Sequence, residues 1–372
     1  MDKDKDKQIL DYIRLNPYIS QQELADKLGL SRPAIAGYIS NLTKKGVIKG
    51  RAYVLREDTV ITCIGTSNFD RKAYSKQKMI TGTANPVEFS ESCGGVARNV
   101  AENLARLGLH ATLVSCVGND REGELLLDET RRAGVDVSQV NVLPDERTGT
   151  YTTLLDTTGE MFIAIANYNV LDRLTSSMLA ERWSAVASSQ AVFLDSNVSA
   201  ESLSYVIERC RDENIPLYVD PVSLPDAQKL PQRLDGVHCI FPNRHEAGFL
   251  AGMVIERAED CRIAARKIKD KGVRNVIITM GDQGLFYSSE EEERFLPTFS
   301  TEVVDVTGAG DAFTAGYLFG IVREESMHRA CQLGLAASSI ALQSDQSVSP
   351  KLQPNLLYSL LNEHNDEEVL TQ

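Results

Sequence analysis

In the run Val304-Asp305-Val306-Thr307-Gly308-Ala309-Gly310-Asp311-Ala312-Phe313 a carboxylate directly follows a glycine-rich turn. The pattern predicts a strand over residues 301–304, then the turn, then a helix from about 311 to 321. The first N–H groups of a helix have no intrahelical acceptor and therefore attract anions. Gly308 and Gly310 let phosphate oxygens come close to the backbone. The N–H groups of Gly308, Ala309 and Gly310 would steady charge on a migrating phosphoryl group, while Asp311 takes the proton of the attacking hydroxyl. The same residues would also suit a plain capped helix in which Asp311 counters the dipole. The expected strand ahead of the turn and a second glycine motif far upstream favour the chemical reading.

That second motif is Gly94-Gly95-Val96-Ala97-Arg98-Asn99. It opens a helical pattern with Val100, Leu104 and Leu107 on one face and Gly108 as its stop. Asn99 offers both an amide donor and an acceptor. Together the two motifs resemble the signatures of the ribokinase-like (PfkB) family of carbohydrate and nucleoside kinases, over about residues 60 to 361. The downstream motif, DVTGAGDAFTAGY, matches over its whole length.

The resemblance implies an α/β fold, a mostly parallel sheet sandwiched by helices with a small β-lid, and ATP-dependent phosphorylation of a primary hydroxyl. Asn68 and Asp70, with Gly94, Gly95, Arg98 and Asn99, would bind the substrate. Thr279, Gly281, Gly284 and Asn243 would face ATP. Glu246, in an Asn-x-x-Glu element with Asn243, would help hold Mg²⁺, in part through water. Asp305 and Thr307 would hold a monovalent cation, K⁺. The segments Ser67-Asn68-Phe69-Asp70, Leu154-Leu155-Asp156, Asp195-Ser196-Asn197 and Val219-Asp220-Pro221 further resemble the pseudouridine-kinase branch of that family. Another nucleoside, a ribose- or fructose-like sugar, or a ligand-sensing regulator with a kinase-like body remain open alternatives.

These residues need a scaffold. Apolar runs at 60–64, 191–194, 217–219, 239–241 and 276–279 alternate with helical segments, which implies a parallel sheet covered on both faces. Functional residues should gather where its strands end. Asp195, Asp220, Asn243 and Glu246 all sit just past such runs. Alternating segments at 148–156 and 160–166 flank Thr157-Thr158-Gly159, a hairpin signal. With residues from about 66 to 90, the stretch 148–170 would make the lid.

The 372 residues carry a net charge of -13, but residues 1–57 hold 11 Lys/Arg against 7 Asp/Glu, which points to a basic head on an acidic body. We read 1–57 as a winged helix-turn-helix domain and 58–372 as the kinase domain. Ser20 and Ser31 are placed to cap the second and third head helices, with Pro33 in the latter's first turn. Asn16-Pro17 would end the first helix, and Ala52-Tyr53-Val54-Leu55 would form a wing. Ser31, Arg32, Tyr38, Asn41, Lys44 and Lys45 would face DNA, and a homodimer is expected. Seven scattered cysteines with no CxxC pair suggest a reducing, cytoplasmic setting. No run is long enough to span a bilayer, so no membrane partner is expected.

Overall fold

The computed structural model describes residues 3–15, 19–48 and 60–370. The expected helix stop at Asn16-Pro17 and the wing at residues 52–55 lie outside these. In the head, α1 (Lys3–Leu15), α2 (Gln21–Leu28) and α3 (Arg32–Lys44) enclose Ile9, Ile13, Leu24, Ile35, Ile39 and Leu42. Ser20 closes a capping box with Glu23, and the Ser31 hydroxyl accepts from the Ala34 N–H.

The body begins with β1 (Val60–Ile64), β2 (Asn68–Ser75), β3 (Val87–Gly94) and α4 (Val96–Arg106). It continues through β4 (His110–Val114), β5 (Cys116–Gly118), α5 (Arg121–Arg132), β6 (Asn141–Leu143), β7 (Thr150–Leu155) and β8 (Met161–Asn167). Next come α6 (Ser176–Val186), β9 (Ala191–Asp195), α7 (Ala200–Glu213), β10 (Leu217–Asp220), α8 (Leu224–Ala227) and β11 (Val237–Ile240). Then follow α9 (Arg244–Ala251), α10 (Asp260–Lys269), β12 (Asn275–Thr279), β13 (Leu285–Ser288) and β14 (Glu293–Leu296). The chain closes with α11 (Ala309–Val322), α12 (Met327–Leu342) and α13 (Pro354–Leu370).

The main sheet runs β14-β13-β12-β11-β10-β9-β1-β4, parallel from β4 to β12 and antiparallel beyond. Successive side chains point to opposite faces of a strand, and here both faces are apolar. Ile61, Cys63 and Phe193 face the layer of α4, α11 and α12. Ile64, Val192 and Leu194 face that of α6, α7, α9 and α10. All seven cysteines are free and buried. The lid is a four-stranded sheet, β3-β2-β7-β8. Among the described residues no helix is long and apolar enough to cross a membrane.

Residues 301–304 are not a strand, contrary to the sequence pattern. Val303 and Val304 are exposed, and the Val304 N–H donates to Leu342 O at the end of α12 rather than to a strand. The helix that follows starts at Ala309, two residues early, and is apolar nearly all round. Its flank at Gly316 abuts α12 at Leu333 and Gly334, closer than any Cβ would allow. The N-terminus of α11 is thereby fixed from behind.

Candidate active site

Asp311 lies in the first turn of α11, half-buried, where Asn99 of α4 meets it. Asn99 Nδ2 donates to Asp311 Oδ2 at 2.8 Å. Burial, with the negative charges of Asp195 and Asp70 nearby, pushes the Asp311 carboxyl up to about 7, against the opposing pull of Asn99 and Arg98. A carboxylate so tuned can accept a proton near neutral pH.

Arg98, expected beside Asn68, Asp70 and Asn99 as a substrate-binding residue, is engaged by the chain itself. It is buried, and it donates to Thr130 Oγ1 at 3.2 Å, Cys93 O at 3.1 Å and Asn99 Oδ1 at 3.1 Å, while pairing with Glu102. Adjacent helix positions point about 100° apart, and here Arg98 turns toward Thr130 and Cys93 while Asn99 turns toward Asp311. The role of Arg98 is indirect. A guanidinium has no acceptor, so it orients the Asn99 oxygen inward and leaves the NH₂ group for Asp311.

On β2, Asn68, Asp70 and Lys72 share one face by the two-residue period. Asn68 donates to Asp70, whose carboxyl is raised to about 6 chiefly by burial. Gly94 stands opposite on β3, and any Cβ there would run into the Asp70 carboxylate. Gly95 abuts Thr66 O in the same way. The buried Asp195 at the end of β9 ties the site together. Its carboxylate accepts from Thr66 N at 2.7 Å, Ala97 N at 3.0 Å and Asn197 N at 3.1 Å, joining the ends of β1 and β9 to the start of α4.

Two cavities meet at Thr279, Gly310 and Phe313. One, of about 540 Å³, has apolar walls including Phe299, Val303, Val306 and Leu342, with Gly281 and Gly284 at its rim. It suits a flat base. The other, of about 200 Å³, holds Asp220, Asn243, Glu246 and Asp311. Asn243 and Glu246 form a capping box at the start of α9, so Glu246 first serves its own helix. Burial raises the carboxyls of Asp220 and Glu246, each against hydrogen bonds that favour ionisation. Among the described residues no three His, Cys, Asp or Glu converge as a metal cage. A Mg²⁺ beside Asp220 and Glu246 would draw its other ligands from phosphates and water, which is how this ion usually binds.

Gly308 takes a left-handed conformation (φ 79°), and its Cα faces Ser347 O. Asp305 Oδ1 accepts from Thr307 N at 2.8 Å and Thr307 Oγ1 at 2.7 Å, while Oδ2 is paired with Lys72.

The pfkB family carbohydrate kinase pattern matches residues 58–353. The chain belongs to the pfkB family of carbohydrate kinases. The kinase is a phosphotransferase acting on hydroxyl groups, and kinases of its ribokinase-like class use ATP and typically Mg²⁺. It is 33% identical over 358 residues to the uncharacterized sugar kinase YeiI of Escherichia coli (strain K12), spanning 96% of this chain and 98% of that relative. It is 34% identical over 308 residues to pseudouridine kinase of the same organism, spanning 82% of this chain and 98% of that relative. A carbohydrate kinase from Agrobacterium tumefaciens superposes with a TM-score of 0.72 at 29% identity, covering 82% of this chain and 97% of that one. A winged helix-turn-helix DNA-binding pattern matches residues 2–49 of the kinase.

In that head, Ser31, Arg32, Lys44 and Lys45 are exposed and Asn41 is half-buried. Tyr38 packs against the head's apolar core. Lys44 and Lys45 border a cavity whose far wall is Trp183, Ala187, Arg209 and Glu213 of the body, so the end of α3 faces the kinase domain. Three site residues carried too little signal in the sequence. Lys72 belongs to no motif, and Asp195 and Asp220, though strand-end carboxylates in segments that resemble the pseudouridine-kinase branch, carried no assigned role.

Proposed function

We propose that the kinase transfers the γ-phosphoryl of ATP to the 5′-hydroxyl of a nucleoside, with pseudouridine as the preferred acceptor. The observation that carries this reading is the Asn99–Asp311 pair at the mouth of α11, with Asp70 raised beside it and the lid sheet above. ATP, when bound with Mg²⁺, supplies the phosphoryl group. Asp311 holds the acceptor's proton, and the N–H groups of Gly308, Ala309 and Gly310 face the charge that develops. Asn68, Asp70, Gly94 and Gly95 grip the ribosyl hydroxyls. Thr279, Gly281, Gly284 and Asn243 border the nucleotide, with Glu246 and Asp220 beside the Mg²⁺. The boundary between head and body falls near residue 57.

The likeness to a pseudouridine kinase across nearly that protein's whole length supports the acceptor. The free, buried cysteines fit a reducing compartment, and we assign the kinase to the cytoplasm. Phe89, Ile163 and Ile165 leave an apolar patch exposed on the lid, which favours a homodimer joined there. The test is ATP consumption with Mg²⁺ against pseudouridine, uridine, inosine, ribose and fructose. Strong turnover on pseudouridine alone supports the reading, and turnover on ribose or fructose alone replaces it with a sugar kinase.

The fused head favours a second activity, DNA binding through Ser31, Arg32 and neighbouring basic side chains that responds to the acceptor. Gel shifts with DNA from upstream of its own gene, with and without pseudouridine, test it. No shift in any condition removes it.

A further inference from the structure

Asp305 lies in the loop that leads into the Gly308–Gly310 turn, and both oxygens of its carboxylate are engaged by the chain itself. Thr307 occupies Oδ1 through its N–H and hydroxyl, and the Lys72 ammonium occupies Oδ2. Both charged side chains are largely covered, at 17% and 22% exposure. Burial alone would raise the Asp305 carboxyl, yet it is held below its ordinary range by Lys72 and Thr307. Lys72 comes from the lid, two residues along β2 from Asp70 and on the same face. The pair therefore fastens the lid strand to the loop that aims the Gly308–Gly310 N–H groups. The loop's other flank is already tied to α12 by Val304 N–H to Leu342 O at 2.8 Å.

An exchangeable K⁺ at Asp305 and Thr307 does not fit this arrangement. A cation needs oxygen lone pairs, and both Asp305 oxygens already meet donors, one of them positively charged. We propose that the Lys72 ammonium is a built-in counter-ion for the phosphate-facing loop, so that the kinase works without any monovalent cation and couples its lid directly to that loop. Lys72 is a positioning residue here: it acts through Asp305 and touches neither the proton nor the phosphoryl group in transit. A fixed ammonium keeps the loop in place at every salt composition, whereas a bound ion would make its geometry depend on the medium.

The inference rests on the kinase reading, and two readouts separate their failures. Full-length protein is assayed with MgATP and its best acceptor in sodium, potassium and tetramethylammonium chloride at equal ionic strength. The wild type should turn over at rates within about twofold of each other in all three salts. Lys72→Met should lower kcat by about tenfold or more in sodium, with part of the loss recovered in potassium, and should leave the KM for ATP nearly unchanged. Stimulation of the wild type by potassium of more than about fivefold overturns the proposal. So does a Lys72→Met enzyme whose rate and salt response match the wild type.

The second readout is thermal unfolding, which needs no turnover. The wild-type midpoint should be the same in sodium and potassium, while Lys72→Met should melt lower and gain a potassium-specific rise. If no acceptor is phosphorylated, the kinase reading fails, but a potassium-specific rise in the wild type would still overturn the Lys72 assignment and its absence would uphold it. Should Lys72→Met not fold, Lys72→Arg keeps the charge, and its rate must remain indifferent to the salt.

Discussion

Asn99 and Asp311 are 212 residues apart in the chain, yet their side chains meet at 2.8 Å and join the N-terminal turns of two helices. One helix starts beside Gly94 and Gly95, the other beside Gly308 and Gly310. On the proposed mechanism the hydrogen bond links the acceptor side of the site to the donor side, and positioning of this kind is a large part of what a phosphoryl-transfer enzyme contributes.

On the proposed mechanism, replacing Asp311 removes the proton acceptor. Asp311→Asn should lower kcat by about 10²–10⁴-fold, measured as ATP consumption with the best acceptor. Its stability effect has the opposite sign. A carboxyl raised to about 7 stabilises the fold only while protonated, and that contribution is lost as pH rises through 7. The Asn variant should therefore melt about 2–4 °C above wild type at pH 8, with the gain shrinking below pH 7 and gone near pH 4. A variant that turns over normally would remove Asp311 from catalysis.

The same group sets the pH profile. Because the base must be ionised, kcat/KM should rise with pH and level off above about 7. The Asn99 amide favours the ionised form, so Asn99→Leu should move the midpoint of that rise upward by about one pH unit. An unmoved midpoint would mean that Asn99 does not steer this proton.

Arg98 makes a different prediction. Its partner Glu102 is buried, with the two side chains at 5% and 6% exposure. Arg106 also pairs with Glu102, at 2.7 Å, so Arg98→Met removes one of two cationic partners and should destabilise the chain by about 1–3 kcal/mol in urea unfolding. The double variant Arg98→Met with Glu102→Met should recover most of the stability. It should not recover kcat, because Asn99 remains unanchored. Recovery of both would make Arg98 purely structural.

The two glycines of the turn ahead of α11 should separate cleanly. Gly308→Ala puts a methyl against Ser347 O in a left-handed conformation, so both stability and turnover should fall. A methyl at Gly310 meets nothing within 4 Å, so the fold should hold. Gly310→Ala should instead raise the KM for ATP by about tenfold, because Gly310 lies where the two cavities join. Equal melting-point losses in the two variants would contradict this division.

The candidate site was legible in the sequence where the physics is local. A carboxylate after paired glycines, or an Asn three residues before a Glu at a helix start, declares itself within one turn. The α/β alternation likewise announced the parallel sheet. Legibility ended where position depends on long-range packing. Residues 301–304 have strand-like composition, but their backbone partner is the end of α12, which no local pattern can reveal. Arg98 sits next to Asn99 in sequence but points elsewhere. Lys72 and Asp195 matter only because the topology carries them to Asp305 and to the start of α4.

The seven cysteines, all sealed in the interior, turn the molecule into its own opening gauge. A thiol reagent can reach Cys63 on β1 or Cys239 on β11, two strands of the same sheet separated by β9 and β10, only when that part of the core parts. Burial also keeps both thiols protonated well beyond neutral pH, which suppresses slow background attack. Alkylation rates followed residue by residue would therefore chart which regions breathe, and how saturating nucleotide quiets them.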